Sequence, residues 1–365
     1  MNRTLARAAL LGAALPLVHL VSLARGAEAP LPVRVVVVTT FELGADTDDT
    51  PGEFQHWVER LPLPTVLPAP GSDHGTLRYN ATMQVLGIVT GEGPSHMASA
   101  MTGLALDTRF DLRRAYFILA GIGGIDPNFG SIGSAVWAPH VVNGGLAHMV
   151  DAREMPASWP DGFTPVQGAV PEPTPVPPLH SQWGDMAYTL DPGLVGWAWN
   201  LTRDISLPDT DKLRANRARY TGFEKAQKPP AVMRGDTLSS ETFWVGARMN
   251  AWAERWVRYW TQGQGVFATT AEEDVAFMQA LSAQAKAGRV DIRRALVLRA
   301  GSNYDMPPPG GAAAQLLRDE QTENGFAGFL PSVEATYRVG SVVVRELVRH
   351  WDRYANTMPQ EHARP

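Results

Sequence analysis

The amino-acid sequence predicts an α/β fold, and three of its features support this prediction. The segments 33–41 "VRVVVVTTF", 83–91 "MQVLGIVTG" and 113–124 "RRAYFILAGIGG" are apolar, β-branched runs typical of strands buried on both faces. Segments with helical spacing of apolar residues alternate with such runs, an order typical of α/β domains. The chain has 365 residues, 44% of them hydrophobic and 19% charged, which suffices for a large core.

The remaining elements continue this alternation. Strands are predicted at 134–142 and 293–301. Helices are predicted after Ser95, a possible N-cap, and over segments 241–260 and 332–354, where apolar residues recur every three or four positions. The proline-rich stretch 156–181 is expected to form a surface excursion, either a loop or a lid. We expect residues 30–365 to form one domain.

The N-terminus predicts export. Arg3 and Arg7 precede an apolar run, and Ala27 and Ala29 form a small-residue cleavage site, so residues 1–29 are interpreted as a signal peptide. An uncleaved anchor helix is the alternative interpretation. Beyond residue 29 no apolar run reaches 18 residues, so we expect a periplasmic or secreted chain that is not an integral membrane protein.

Composition argues against several classes of function. The formal net charge is −5 and no long basic run is present, so no nucleic-acid partner is expected. The absence of cysteine excludes thiolate catalysis, iron–sulfur clusters and disulfides. The nine histidines show no metal-ligand spacing. We therefore expect neither a metal nor a cofactor.

Two glycine-rich loops follow predicted strands. The segments 91–95 "GEGPS" and 121–125 "GIGGI" each match half of the dinucleotide fingerprint, but His96 and Asp126 stand where the pattern fails. Glycine after a buried strand lets backbone amides approach an anion or a hydroxyl group closely. A tight strand-to-helix turn without a ligand is the alternative interpretation of each loop.

Three polar segments later in the chain also have two interpretations. The segment 232–244 "VMRGDTLSSETFW" is either a pocket segment or a turn with Ser239 or Ser240 as the cap of the next helix. The acids of 269–281 "TTAEEDVAFMQAL" either begin a helix or place a carboxylate where it holds a ribose diol. The segment 298–311 "LRAGSNYDMPPPGG" ends a strand with polar residues, where ligands bind in open sheets, or simply turns.

The order of these segments resembles the nucleoside phosphorylase and nucleosidase superfamily. The stretches 90–93 "TGEG", 121–124 "GIGG", 234–236 "RGD", 272–276 "EEDVA" and 299–303 "RAGSN" are similar to its successive motifs. Roughly from residue 32 to 355 the chain resembles one branch more closely, the purine nucleoside permease family. The resemblance implies a three-layer α/β/α sandwich with a mixed central sheet, and nucleoside handling with transport as the traditional assignment.

The resemblance also implies roles for individual residues. Glu273 is expected to hold the ribose 2′- and 3′-hydroxyls. Asn303, together with Ser302, is expected to bind the base, and an amide at this position suits a 6-oxopurine. Further residues are expected around an anion or water subsite or elsewhere in the pocket: Thr90, Gly91, Gly93, Gly123 and Gly124 for the subsite, and Asp236 and Ser239 for the pocket.

The nucleophile is expected to be water rather than phosphate. The first loop is acidic, and Arg78 is the nearest arginine upstream of Gly91, so cations for phosphate are scarce. In the nucleosidases a first-loop Glu activates water, and Glu42 is the candidate here, unless it is a solvated loop acid. The predicted function is cleavage of the N-glycosidic bond of a purine nucleoside. The alternatives are a binding protein that serves a separate transport partner and a relative without activity.

A homodimer is also possible, because related folds often complete their pocket with a neighbour's residues. The helix predicted at 241–260 carries a stripe of tryptophans at Trp252, Trp256 and Trp260. The stripe belongs either to the core or to a dimer interface.

Overall fold

A large mixed β-sheet lies at the centre of the computed structural model, which describes residues 29–320, 322 and 327–361. Nearly all of the predicted signal peptide, residues 1–29, lies outside the described residues. The strands of the described part are β1 Leu31–Pro32, β2 Val35–Thr39, β3 Thr65–Pro68, β4 Thr76–Asn80, β5 Val85–Val89, β6 Phe110–Asp111, β7 Tyr116–Ile125, β8 Ala135–Trp137, β9 His140–Asn143, β10 Ala147–Met149, β11 Phe163–Pro165, β12 His180–Ser181, β13 Gly184–Asp185, β14 Ala187–Thr189, β15 Val232–Arg234, β16 Asp236–Ser239, β17 Phe267–Ala271 and β18 Ala295–Tyr304.

Twelve of these strands form one sheet within the described part of the chain. Its main path runs β14-β9-β16-β17-β7-β2-β5-β4-β3, and β18 joins it by pairing with β7 and β8. The central pairs β2–β5, β2–β7 and β7–β18 are parallel, whereas β7–β17 and β4–β5 are antiparallel. The predicted mixed sheet is therefore confirmed, and its central strands are buried, as their unbroken apolar sequences indicate.

Helices cover this sheet in two groups. The helix α8 packs on β7 and β18 and is contacted by α1 and α3, while α6 packs on β9 and β16 and is contacted by α2. The result is the predicted three-layer α/β/α sandwich. The helices are α1 Gln55–Arg60, α2 Pro94–Leu106, α3 Pro192–Thr202, α4 Asp211–Ala218, α5 Ala247–Trp260, α6 Asp274–Lys286, a 3₁₀ turn at Ile292–Arg294, α7 Ala313–Glu320, α8 Phe329–Arg349 and α9 Trp351–Tyr354.

The predicted N-cap residues of α2 and α5 were wrong. Ser95 is not an N-cap, because Gly93 holds that position and Pro94 begins α2. Neither Ser239 nor Ser240 caps the tryptophan helix. That helix begins only after its N-cap residue Gly246, whose φ of +137° is not helical. In the described residues no helix has both the length and the apolarity needed to cross a membrane.

The tryptophan stripe of α5 belongs to the core. Trp252, Trp256 and Trp260 are buried against Leu238 and Phe267 of the neighbouring strands. These side chains are therefore not available for the dimer interface that the sequence left open.

The proline-rich stretch 156–181 is largely irregular, with only the short strands β11 and β12. It runs over the structure as an excursion, as its composition predicts. None of its residues lines the large cavity of the chain, so the lid interpretation has no support.

A buried carboxyl group, Asp126, and the half-buried Glu254 join α5 to the turn that follows β7. Asp126 accepts hydrogen bonds from the Asn128 amide at 2.8 Å and from Asn250 Nδ2 at 3.1 Å, and Asn128 Nδ2 also donates to Glu254 at 2.9 Å. Burial raises the pKa of Asp126 to about 7, and the neighbouring Glu254 carboxyl adds to this rise. Asp126 therefore keeps its proton in the folded chain well above the pH at which it ionises when unfolded.

We predict that Asp126→Asn stabilises the protein at alkaline pH. The unfolded chain loses the Asp126 proton near its ordinary pKa of 3.8 and the folded chain only near 7, so this group's contribution to stability falls between these values and stays low above them. The amide cannot ionise, so urea unfolding is expected to show a gain of about 1–2 kcal/mol at pH 8 and a smaller gain at pH 5. Equal gains at both pH values, or a similar gain from the exposed control Asp204→Asn, would contradict this account.

Candidate active site

One cavity of about 840 Å³ opens at the ends of β2, β7, β17 and β18, where these strands meet the loops that follow them. Its wall combines polar, acidic and aromatic side chains. The lining residues are Thr40, Phe41, Glu42, Leu43, Thr50, Glu53, Glu92, Ile122, Gly123, Gly124, Lys212, Ser240, Thr242, Phe243, Trp244, Thr270, Ala271, Glu272, Glu273, Arg299, Ser302, Asn303, Thr322, Phe329 and Leu330.

A buried arginine organises the floor of this cavity. Arg299 on β18 is 1% exposed and donates from Nη2 to Glu273 Oε2 at 2.8 Å and from Nε to Asp274 Oδ1 at 2.9 Å. Its Nη1 donates to the Ile122 carbonyl of β7 at 3.0 Å. Burial opposes the charge on Arg299, but the surrounding carboxylates outweigh it and raise the pKa of Arg299, so the guanidinium stays charged.

A second buried acid, Glu53, lies beside this ion cluster. Its Oε1 accepts from the Ile122 amide at 2.6 Å, and its Oε2 accepts from the Thr40 amide at 2.7 Å and the Thr40 hydroxyl at 2.8 Å. Burial raises the pKa of Glu53 to about 7 despite the attraction of Arg299 and these hydrogen bonds. A carboxyl group with such a pKa exchanges protons near neutral pH, which is what a general acid or base requires.

Glu273 is held by the glycine loop that follows β5. Gly93 N donates to Glu273 Oε1 at 2.9 Å, while Arg299 occupies the other oxygen. Thr90 is fully buried and donates to the carbonyls of Thr39 and Gly91. Thr90, Gly91 and Gly93 do not line the cavity, so this loop positions a carboxylate instead of forming the expected anion or water subsite.

The second glycine-rich segment, 121–125, is the end of strand β7 and not a loop, and it does line the cavity, because its glycines allow close approach of the chain. A Cβ at Gly124 would lie 1.8 Å from Asp305 Oδ1, and a Cβ at Gly123 would lie 2.0 Å from the Thr270 carbonyl oxygen. Only glycine fits at either position. These residues let β7 and β17 meet at the floor of the cavity.

Ser302 and Asn303 stand at the end of β18, where the sequence placed them. Ser302 Oγ lies 3.1 Å from the Gly123 carbonyl oxygen and 3.1 Å from Asn303 Oδ1, so the serine hydroxyl is oriented toward acceptors on its own wall. Asn303 is 8% exposed, and among the described residues its Nδ2 has only a 3.5 Å contact with the Tyr304 carbonyl. The amide NH₂ is therefore the part of Asn303 with capacity left for a ligand.

Glu42 lines the cavity, but its carboxylate is already occupied. Oε1 accepts from the amides of Leu43 and Gly52, and Oε2 accepts from those of Phe54 at 2.7 Å and Gln55 at 2.6 Å. Four backbone donors occupy all the hydrogen-bond acceptor positions of a carboxylate. This arrangement makes Glu42 the organiser of the loop between β2 and α1, and the assignment of water activation to Glu42 is corrected accordingly.

Asp236 and Ser239 lie outside the cavity wall, contrary to their predicted place in the pocket. Asp236 accepts from the amides of His140 and Val266 and faces the His140 ring at 2.8 Å, so it joins three segments of the sheet. Ser239 Oγ donates to the Glu272 carbonyl at 3.0 Å and accepts from the Val275 amide at 3.2 Å. Ser239 thus fixes the turn that presents Glu272 and Glu273.

Three acids of the wall, Glu53, Glu92 and Glu272, were not predicted. Burial raises the pKa of Glu272 to about 7, with the Glu273 charge as the next cause, and burial likewise raises the pKa of Glu92. Glu92 and Glu272 are sequence neighbours of predicted site residues. Glu53 follows an irregular loop, and only its place directly before α1 marks it.

The sequence of the chain is similar to those of proteins named purine nucleoside permeases. The family model described as purine nucleoside permease matches residues 32–359. A probable purine nucleoside permease of Schizosaccharomyces pombe is 28% identical over 277 residues, which are 74% of this chain and 78% of the relative. The purine nucleoside permease of Candida albicans is 25% identical over 327 residues, which are 88% of this chain and 76% of the relative.

Solved structures with a similar fold include nucleosidases and a hydrolase. Futalosine hydrolase of Helicobacter pylori superimposes with a TM-score of 0.51 at 12% identity, covering 86% of this chain and 98% of the other. A 5′-methylthioadenosine/S-adenosylhomocysteine nucleosidase of S. pneumoniae gives a TM-score of 0.51 at 13% identity, covering 86% and 100%. At these identities the likeness concerns the fold. Since the family model matches most of its length, the chain belongs to the purine nucleoside permease family.

Proposed function

We propose that the chain binds a purine nucleoside in this cavity and hydrolyses its N-glycosidic bond. The observation that carries the proposal is Glu53, a buried carboxyl group with a pKa of about 7 in the cavity wall. It lies beside Arg299 and Glu273, and such perturbed groups concentrate at catalytic sites. The family of the chain and the nucleosidase-like fold support the same substrate class.

The ribose would bind at Glu273 and the base at Asn303, two residues of the cavity wall. Glu273, which is 4% exposed and fixed by two donors, would accept hydrogen bonds from the ribose hydroxyls. Asn303 would donate from Nδ2 to the base, and the Ser302 hydroxyl beside its Oδ1 favours this orientation. An outward NH₂ pairs with an acceptor, so a 6-oxopurine is the favoured base.

The reaction proceeds by displacement at C1′ of the ribose. Water attacks C1′ as the N9–C1′ bond breaks, and the electron pair of that bond leaves with the purine. Glu53 takes a proton from the attacking water, and the Asn303 amide stabilises the negative charge that develops on the departing base. The carboxylate of Glu273 and the acids nearby favour the positive charge that develops on the ribose. The purine anion takes up a proton from solvent, Glu53 releases the proton it took from water, and the products are free base and ribose.

Water is favoured over phosphate by the charge of the cavity wall. Five carboxyl groups line it, at Glu42, Glu53, Glu92, Glu272 and Glu273, against two cations, Lys212 and Arg299. Arg299 already serves Glu273 and Asp274. A phosphate dianion would meet repulsion that a neutral water does not.

A second candidate follows from the names of the relatives, which are called permeases. In this case the chain would bind nucleosides without cleaving them and deliver them to a separate membrane partner. Export to the periplasm or the exterior, predicted from residues 1–29, fits both candidates and remains part of the proposal. So does a homodimer, although α5 does not supply its interface.

Incubation of the purified protein with inosine, guanosine or adenosine tests the proposal directly. We expect release of free base and ribose at equal rates with and without phosphate, and faster release from the two 6-oxopurine nucleosides. Chromatography separates base, ribose and ribose 1-phosphate. Binding without release would favour the transport candidate, and release that depends on phosphate would refute hydrolysis.

We predict that Glu53→Gln lowers kcat about 10²–10⁴-fold while the protein remains folded, because the amide cannot accept a proton from water. In the wild-type protein kcat/KM is expected to rise with pH and level off above about 7, since only ionised Glu53 acts as a base. The variant should lose this rise. Glu346→Gln, which alters a buried acid of α8 far from the cavity, is the matched control. Equal effects of both substitutions would count against a catalytic role for Glu53.

A further inference from the structure

One wall of the cavity is an irregular loop held in place mainly by carboxylates. Residues 42–52, here called the wall loop, form the middle of the connection between β2 and α1 and contain no helix or strand. Glu42, Leu43 and Thr50 from this loop line the cavity. Besides the four amides on Glu42, the Ala45 amide donates to Asp49 at 2.9 Å and the Asp48 amide donates to Glu59 at 3.0 Å. The geometry of this wall therefore depends on side-chain anchors.

The middle of the wall loop is anchored outside the cavity by a cluster of three charged groups. Asp46 Oδ1 lies 2.7 Å from His74 Nε2, and Asp46 Oδ2 accepts from Arg78 Nε at 2.6 Å. The Asp46 side chain is 5% exposed. Arg78 belongs to β4 and His74 to the turn before it, so this cluster ties the loop to the sheet. Neither partner lines the cavity.

We propose that Asp46 is a positioning residue of the active site. Its contacts with His74 and Arg78 anchor the wall loop against the substrate, and loss of the His74 proton weakens this anchor. The proposal rests on the proposed function only for its kinetic consequence. Its structural part, a proton-dependent anchor of residues 42–52, stands on the contacts of Asp46 alone.

The electrostatic surroundings of His74 fit this role. The hydrogen bond to Asp46 raises the pKa of His74 above its ordinary value of 6.5, burial opposes the rise, and the Asp46 and Glu42 charges support it against Arg78. The Phe54 ring meets the imidazole edge at 6.4 Å and adds no charge. For Asp46, burial raises the pKa, but the bonds from His74 and Arg78 prevail and lower it. Asp46 is thus ionised while His74 titrates.

The anchor of the wall loop is strongest at low pH, where His74 is protonated. Because the pKa of folded His74 lies above its unfolded value, its ionic contribution to the anchor is complete below about pH 6.5 and is lost as pH rises through the folded pKa. Neutral His74 still donates one hydrogen bond, and Arg78 keeps its charge. The anchor therefore weakens at high pH without opening fully.

Hydrogen exchange of the wall-loop amides tests the anchor without any substrate. After correction for the intrinsic pH dependence of exchange, we expect residues 43–50 of the wild-type protein to exchange about five-fold faster at pH 8.5 than at pH 6, as a charge-assisted bond gives way to a neutral one. His74→Gln should exchange at the fast rate at both pH values. Asp46→Asn should do so as well, by removing the shared charge. His180→Gln, which alters an exposed His–Asp pair of the β12–β13 hairpin, should leave these amides unchanged.

The kinetic readout separates this proposal from the proposed function. If the nucleoside is cleaved, KM of the wild-type protein should rise about five-fold from pH 6 to pH 8.5 with little change in kcat, and His74→Gln should show the higher KM throughout. Glu53→Gln acts on kcat instead. Exchange in the wall loop that is independent of pH, or unaltered in both His74→Gln and Asp46→Asn, overturns the anchor. Absence of cleavage with the expected exchange pattern overturns only the proposed function.

Discussion

The structure of the cavity depends on the burial of one guanidinium group. Arg299 brings together Glu273 and Asp274 from the start of α6, the Ile122 carbonyl from β7 and, through its charge, Glu53 from the connection before α1. Removing one partner from a buried ionic cluster leaves uncompensated charge, so these groups hold one another in place. The strand β18 supplies the arginine and also Ser302 and Asn303 of the cavity wall, which makes this strand the reference for the whole site.

The acids of this cluster differ in how they are held, and this difference bears on its chemistry. Arg299 satisfies Glu273 and Asp274 through direct hydrogen bonds, whereas Glu53 receives only neutral donors. Burial is the main cause of the raised pKa of Glu53; the charge of Arg299 opposes the rise, and the charge of Glu273 adds to it. A group suited to proton transfer thus arises from the burial of a carboxyl group that has no direct ion pair.

The sequence allowed the sheet to be predicted well, because buried strands have continuous apolar runs that local patterns reveal. It also placed Asn303 at the end of a strand, where chain direction brings polar residues to one edge. Glu273 lies at the start of α6, which is one of the two interpretations of its segment. It did not indicate Glu53 or the backbone amides that bind Glu42, two acids of the connection between β2 and α1. Glu42 is bound by four backbone amides, whereas Glu53 is bound by two amides and one hydroxyl. This difference is decided by the three-dimensional path of the connection, and no periodic pattern records this path. The partners of Asp236, His140 and Val266, could not be predicted either, because they lie far from it in the sequence.

The four amides around Glu42 have a consequence for anions. The donors of Phe54 and Gln55 belong to the beginning of α1, and those of Leu43 and Gly52 complete a concave nest of the kind that binds phosphate in other proteins. Here the nest is filled from within by a tethered carboxylate. A free anion has to compete with a ligand whose effective concentration is about millimolar or higher and which never diffuses away. The Glu42 carboxylate thus hinders the binding of a free anion to these four amides at the edge of the cavity.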